Sequence, residues 1–322
     1  MKILLSLIAA AALAFTAPAP AHAQAFPAKP IRLIVTYPPG GGADLMARLI
    51  GPKMSETLGE PVVVENKAGA SGQIAALDVA RSAPDGYTLM LDASSFAVNP
   101  SLYSQLPYDP AKAFIPIAVV ALFPNVLVVT PSFPAKDVKG LIALAKAHPG
   151  EIAFASSGNG SAQHLSAELF KEKAGIAMTH VPYKGGGPAL NDVVGGQVPI
   201  YFANMASGLP FVKSGRLRAL GITSARRSAA LPEVPTIAES GLAGYEVYEW
   251  NAIFAPAGTP PPVIAKIAQA IAHAMDSPAV RRRVAELGGE EPGYGPAEAA
   301  RFVREQTQLW GRVVREAHIT VQ

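Results

Sequence analysis

The chain has 322 residues, of which 16% are charged, with a formal net charge of +3 and no cysteine. The lack of cysteine excludes a disulfide, a thiolate nucleophile, a cysteine metal site and a lipid-anchor cysteine. Charges are sparse and scattered with no basic run, so a pI near 9.0 does not indicate nucleic-acid binding.

Residues 1–23 read as a secretory signal peptide. Lys2 supplies the positive start, residues 3–15 are almost unbroken apolar sequence too short for a membrane span, and Ala21-His22-Ala23 is a small-x-small cleavage site before Gln24. An exported periplasmic protein, cleaved after Ala23 and not inserted in the membrane, is the expectation. The remainder is long enough for two lobes of ordinary domain size.

Residues 31–37 read as a strand that ends in Pro38-Pro39-Gly40-Gly41-Gly42-Ala43-Asp44. Leu45, Met46, Leu49, Ile50, Met54 and Leu58 then recur at helical spacing. Asp44 is the expected N-cap, Gly59 the expected stop, and Pro52 an expected kink. Strand-like runs follow at 62–66, 88–92 and 117–120, with the segment 73–81 and a Pro84-Asp85-Gly86 turn between them. The apolar stretch 115–130 is broken by Pro116, Pro124 and Asn125, which fits two buried strands better than a membrane helix. The rhythm repeats with a strand at 126–130, a helix at 137–147 and a strand ending at Ser156. A helix at 161–174 stops at Gly175, and strands at 179–181, 199–202 and 217–223 surround a helix at 188–194. Beyond residue 260 the patterns are helical only: Val263/Ile264/Ile267/Ile271, Val280/Val284/Leu287 and Phe302/Leu309/Val313.

Strands alternating with helices predict an α/β fold with parallel sheet. The α/β, α/β, helical-tail order predicts two lobes, with the chain crossing near Phe123-Pro124-Asn125 and again within 245–251. The expected lobes are 24–124 plus 249–322, and 125–248. Two crossings form a hinge that permits closure around a ligand.

Two segments share one build. The loop at Pro38–Asp44 and the loop Ser157-Gly158-Asn159-Gly160-Ser161-Ala162-Gln163-His164 each join a strand to a helix through glycine. Such a turn exposes unpaired N–H groups at the positive end of a helix dipole, which favours an anion. Two of them, more than a hundred residues apart, suggest that each lobe offers a loop to one shared ligand. The candidates are Tyr37, Pro39, Gly40, Gly41 and Ala43 in the first loop and Ser157, Asn159, Gly160, Ser161 and His164 in the second. Ser94, at the carboxyl end of a strand, Tyr183, after another, and Ala203, after a third, complete the set. One of the second loop's polar residues is expected to cap its helix, and a lone histidine such as His164 is more often structural than a ligand. Asp44 would repel a carboxylate and is read as a cap. Trp250 is read as core.

The chain resembles the substrate-binding receptors of the tripartite tricarboxylate transporter family, the Bug receptors. The matching stretches include Tyr37-Pro38-Pro39-Gly40-Gly41-Gly42-Ala43-Asp44, Val62-Val63-Val64-Glu65-Asn66-Lys67-Ala68-Gly69-Ala70, Asp85-Gly86-Tyr87-Thr88 and Asn99-Pro100-Ser101-Leu102-Tyr103. Ser157-Gly158-Asn159-Gly160-Ser161, Val181-Pro182-Tyr183-Lys184-Gly185 and Ala255-Pro256-Ala257-Gly258-Thr259-Pro260 continue the match in order along nearly the whole chain. The resemblance implies a type II-like Venus-flytrap fold with a di- or tricarboxylate or aromatic acid between the lobes. It also implies membrane permease subunits as partners; no cofactor or metal is expected, and a monomer is expected because no exposed apolar stripe or heptad forces an oligomer. In the family, the two loops hold one ligand carboxylate. Family members often carry Asp where this chain has Ala203, and that Asp can receive an ammonium group. Its absence favours a plain carboxylate, although Glu246, Glu249 or Asp92 could supply the charge.

Two other classes compete. A sensor presenting its ligand to a membrane kinase would have the same binding lobes. An exported α/β hydrolase is disfavoured because no Gly-x-Ser-x-Gly elbow, no phosphate-binding Gly-Lys-Ser/Thr and no His-Glu-x-x-His occurs.

Overall fold

The structure is a computed structural model describing residues 26–316, 319 and 320. The expected signal peptide and its expected cleavage site lie outside the described residues. Nine strands are present among the described residues: β1 (Ile31–Val35), β2 (Val62–Asn66), β3 (Thr88–Asp92), β4 (Phe114–Val129), β5 (Ala153–Ser156), β6 (Thr179–Pro182), β7 (Ile200–Asn204), β8 (Arg218–Ile222) and β9 (Tyr248–Pro256). They join in the order β2-β1-β3-β9-β4-β7-β5-β6, with β8 on the other side of β4.

The sheet has two halves. In one, β1 pairs in parallel with β2 and β3. In the other, β5 pairs in parallel with β6 and β7. Strands β4 and β9 tie the halves together and run antiparallel to their neighbours. The expected parallel sheet is therefore mixed, because the two crossing strands must traverse both halves. The first part of β4 pairs with β9 as far as Pro124, and from Asn125 it pairs with β7.

The expected pair of strands in the 115–130 stretch is one 16-residue strand. Its prolines do not break it because of where they fall. Pro116 sits at a register shift, and Pro124 stands at the last pair with β9, just before the partner changes. A residue without an N–H is tolerated at such irregular positions. The segment expected as the second crossing begins β9, whose residues 249–256 are buried in the middle of the sheet. Its apolar run Ala252-Ile253-Phe254-Ala255 carries no helical spacing, as befits a strand covered on both faces.

Helix α1 (Gly42–Leu58) follows β1 and continues through Pro52 to a left-handed stop at Gly59. Short helices α2 (Gln73–Ala80) and α3 (Ser95–Leu102) flank β3. In the second half, α4 (Val138–Ala147) and α5 (Ala162–Ala174) precede and follow β5. Helices α6 (Gly186–Val194) and α7 (Met205–Lys213) follow β6 and β7. Sequence patterning did not separate α3 and α7, which carry internal Pro100 and Pro210. The tail forms α8 (Pro261–Asp276), α9 (Pro278–Glu286) and α10 (Pro296–Glu316). Helix α8 packs on α1, and α10 packs on α3 and β4. The tail thus returns to the first half and covers it. Trp250 is fully buried and meets Phe302 of α10 edge-on, in agreement with its core reading.

Candidate functional site

Four connections leave the carboxyl ends of parallel strands, β1 to α1 in one half and β5 to α5, β6 to α6 and β7 to α7 in the other, whose strands run in the opposite sense. The start of each helix lines one small pocket where the sheet halves meet. Gly41 caps α1 and Gly42 and Ala43 begin it, Gln163 comes from α5 and Gly186 from α6, and Asn204 caps α7, which supplies Ser207. Tyr37, Ser157, Tyr201 and Glu249 complete the lining. The cavity is about 20 Å³, room for roughly one water-sized group. It adjoins an outer cleft of about 560 Å³, with Tyr37 and Ser157 common to both.

No lysine or arginine lines the inner pocket. Its positive potential comes from helix ends. The first intrahelical bond of α1 runs from Leu45 N–H to the Gly41 carbonyl, which leaves the preceding first-turn N–H groups available. Gly42 is required here. A Cβ on it would lie 2.8–2.9 Å from the side-chain amide of Asn204. Asn204 is itself 3% exposed. Its Oδ1 accepts from Ala206 N–H and caps α7, whereas its Nδ2, close to the Glu249 carboxyl, has no partner of good geometry among the described residues. An unpaired buried donor is costly unless a ligand or water satisfies it. The Ser157 and Tyr201 hydroxyls share a hydrogen bond of 2.7 Å, and Tyr37 OH donates to Ser95 Oγ at 2.8 Å. Burial pushes both tyrosines upward, Tyr37 well above its ordinary value, so both keep their protons.

Two carboxylates stand near this end. Asp92 lies behind Tyr37, where Thr36 Oγ1 donates at 2.6 Å, Ala93 N–H at 2.7 Å and Ser95 Oγ at 3.3 Å. Burial raises it to about 6. Glu249 lines the pocket itself. Gln163 Nε2 donates to its Oε2, and burial pushes this carboxyl above the usual range. Glu246 is exposed.

Of the sequence candidates, Tyr37, Gly41, Ala43 and Ser157 line the inner pocket. Asn159 and Tyr183 line the outer cleft, with Lys184 beside Tyr183. Tyr183 OH donates to Asp192 at 2.7 Å, so its ring rather than its hydroxyl faces the cleft. Pro39 and Gly40 are exposed at the rim, and Gly40 N–H donates to Asp44. Asp44 is not the N-cap. Gly41 holds that position, and Asp44, the third helical residue, reaches back to Gly40 while binding Arg48 and Asn66.

The others hold internal bonds. Ser161 caps α5, accepting from His164 N–H and donating to the Gly158 carbonyl. His164 Nδ1 accepts from Gly160 N–H, and its ring stacks on His180 at 3.9 Å. Gly160 packs against Leu102 across the halves. Ser94 Oγ accepts from Trp250 N–H, which ties β3 to β9. Ala203 is buried in β7 opposite Val126.

Gln163, Gly186, Tyr201, Asn204, Ser207 and Glu249 were not among the candidates. Gly186 carried a signal, because Lys184-Gly185-Gly186-Gly187-Pro188 repeats the strand–glycine–helix build. Glu249 was named only as one of three acids that could supply a charge, since its place depends on β9 crossing beneath the helix ends.

Two α/β halves around a pocket built from helix starts have the architecture of a ligand-binding protein. The chain belongs to the tripartite tricarboxylate transporter receptor family, whose model matches residues 46–319. It is 42% identical over 300 residues to Protein BugT of Bordetella pertussis, covering 92% of each chain. It resembles the solved structure of the periplasmic binding protein BugD, with 35% identity and a TM-score of 0.88, over 92% of this chain and 100% of that one. It also resembles Rpa4515 of R. palustris solved with adipate, with 37% identity and a TM-score of 0.89, over 92% of this chain and 99% of that one. The chain is therefore a periplasmic solute-binding protein of the α/β class, a receptor and not an enzyme. Among the described residues no helix is long and apolar enough to cross a membrane.

Proposed function

We propose that this receptor captures a small carboxylate, a di- or tricarboxylate or an aromatic acid, and presents it to the permease subunits of a tripartite tricarboxylate transporter. The observation that carries the reading is the convergence of four helix starts on a pocket that holds the unpaired Asn204 Nδ2 and no basic side chain. Helix ends and N–H groups stabilise an anion without a fixed cation. The adipate bound to a relative of 37% identity supports a carboxylate.

In this reading the lobes are 24–124 plus 249–322, and 125–248, once residues 1–23 have been removed on export after Ala23. One oxygen of the ligand's carboxylate reaches the inner pocket, and the outer cleft takes the remainder of the ligand. Gly41, Ala43 and Ser157 contact that carboxylate, while Asn159 and Tyr183 lie along the remainder. The receptor acts as a monomer and makes no covalent bond, so it needs only different affinities in its open and closed states.

A thermal-shift screen of the protein from Gln24 onward tests this. Mono-, di- and tricarboxylates, aromatic acids and acidic amino acids are compared. A ligand at a hundredfold excess over Kd adds about 2.7 kcal/mol of stability. A raised Tm with one carboxylate class is expected. A flat response from a well-folded protein refutes the reading.

A further inference from the structure

The outer cleft of about 560 Å³ has few side-chain donors to offer a ligand. Its hydroxyls are engaged within the protein. Thr36 Oγ1 donates to Asp92, Tyr37 OH to Ser95 and Tyr183 OH to Asp192. Ser71 Oγ donates to the Asn159 carbonyl, so Tyr103 is the donor in its 3.1 Å contact with Ser71. Ser157 is paired with Tyr201. Among the described residues, the side chains of the lining that keep donors for a ligand are the Asn159 amide and the Lys184 ammonium.

Lys184 is the one charged residue in that lining, and no carboxylate side chain stands in the wall to pair with it. It follows β6, in the second half, and is exposed. The remaining wall is largely apolar. Ile74 of the first half is 49% exposed, more than any other large apolar side chain among the described residues. It lines the cleft together with Pro182 and the Tyr183 ring of the second half. A ligand body rich in hydroxyls would give up water here and find few partners, whereas an apolar body covers Ile74 and the ring.

We propose that Lys184 is a specificity-determining residue that pairs with a second carboxylate at the far end of the ligand, and that the ligand is a dicarboxylate with an apolar body, polymethylene or aromatic, between its acid groups. The inference rests on the carboxylate reading above and narrows it. One carboxylate reaches the helix starts, the body lies against Ile74 and the Tyr183 ring, and the far carboxylate meets Lys184, with the Asn159 amide as a further donor. A monoacid leaves the ammonium without a partner, and a hydroxylated diacid leaves its own hydroxyls without partners.

Isothermal titration with matched acids tests the proposal. Adipate is compared with hexanoate, and terephthalate with p-toluate, so that each pair differs by exchange of the far carboxylate for a methyl group. In at least one pair the diacid is expected to bind about fivefold or more tighter, with an advantage that narrows as salt is added. In Lys184→Met the advantage is expected to fall to within about twofold, and in Lys184→Arg to persist, because the cation is kept. Lys184 is exposed, so neither substitution disturbs the core. Galactarate, which has the adipate skeleton with a hydroxyl on each middle carbon, is expected to bind about tenfold or more weakly than adipate. Monoacids that bind as tightly as their diacids overturn the inference and leave the carboxylate reading standing. An advantage that survives Lys184→Met, or galactarate binding as tightly as adipate, also overturns it. Absence of binding by all of these acids and by every acid of the thermal-shift screen overturns the carboxylate reading, and this inference with it.

Discussion

The two glycine loops look alike in sequence and do different work. The β1–α1 loop leaves the first-turn N–H groups of α1 available and turns them toward the inner pocket. The β5–α5 loop uses most of its polar groups within the protein. Ser161 caps α5, Gly160 N–H donates to His164, and the Asn159 carbonyl accepts from Ser71 Oγ of the opposite half at 2.8 Å. Its own contribution to the inner pocket is Ser157, with Gln163 one residue into the helix. One loop therefore keeps its donors free, and the other is largely a fastening between the halves. A strand–glycine–helix pattern establishes that donors exist, and the neighbouring side chains decide whether they remain free.

The largest effect is expected from Gly42→Val. Its side chain would collide with the Asn204 amide and block the approach to the start of α1. Loss of two or more bonds to a charged ligand, each worth about 1.5–3 kcal/mol, weakens binding by about a hundredfold or more in isothermal titration. Gly160→Val comes next. Gly160 has φ +74°, and a Cβ there would stand 2.5 Å from Leu102 Cδ1 across the halves. With about 1–3 kcal/mol of strain, affinity falls about tenfold and small-angle scattering detects a more open molecule. Unchanged affinity in Gly160→Val would remove the fastening role from the second loop.

Ser71→Ala deletes the bond to the Asn159 carbonyl and the contact with Tyr103 OH. A single neutral bond is worth about 1 kcal/mol, so affinity drops about fivefold with little change in the Tm of the unliganded protein. Ser161→Ala sharpens the contrast in the opposite direction. Loss of the cap costs about 1 kcal/mol of stability, seen in denaturant unfolding, while affinity stays within about twofold. A large loss of affinity would make Ser161 a ligand donor after all.

The smallest effect at neutral pH is expected at His180, beneath the second loop. Its ring accepts or donates at Ser156 Oγ, and burial lowers it from 6.5 to about 3. The unfolded chain binds this proton below about 6.5 and the folded one does not, so its contribution is lost as pH falls from 6.5 toward 3. Asp92 acts in the opposite sense. Its pKa is raised from 3.8 to about 6, so its contribution is lost as pH rises across that interval. Unfolding curves of wild type and His180→Gln therefore converge at acid pH, and a constant gap across the range would contradict this assignment.

Much of this protein is legible without coordinates. Period-two and period-3.6 patterning marked β1, β5, β6, β7 and the helices between them, because each buries one face against a neighbour close in sequence. Gly59 and Gly175 stop their helices in left-handed conformations, as their positions required. The first loop carries its anion chemistry locally, since a helix start needs only the turn that precedes it.

Tertiary structure decided what local pattern could not encode. Pro116 and Pro124 read as breaks, yet β4 passes both because its partner shifts or changes there. Strand β9 had no amphipathic period, being buried on both faces, and its register put Glu249 beside Gln163. Asn204 became a pocket donor because its Oδ1 was taken by α7 and its Nδ2 was left facing Gly42, 162 residues earlier in the chain. The sequence by itself determined where anion-binding groups could arise. Only the meeting of distant elements determined which of them stayed unpaired, because hydrogen-bond satisfaction is a property of the packed neighbourhood and not of the segment.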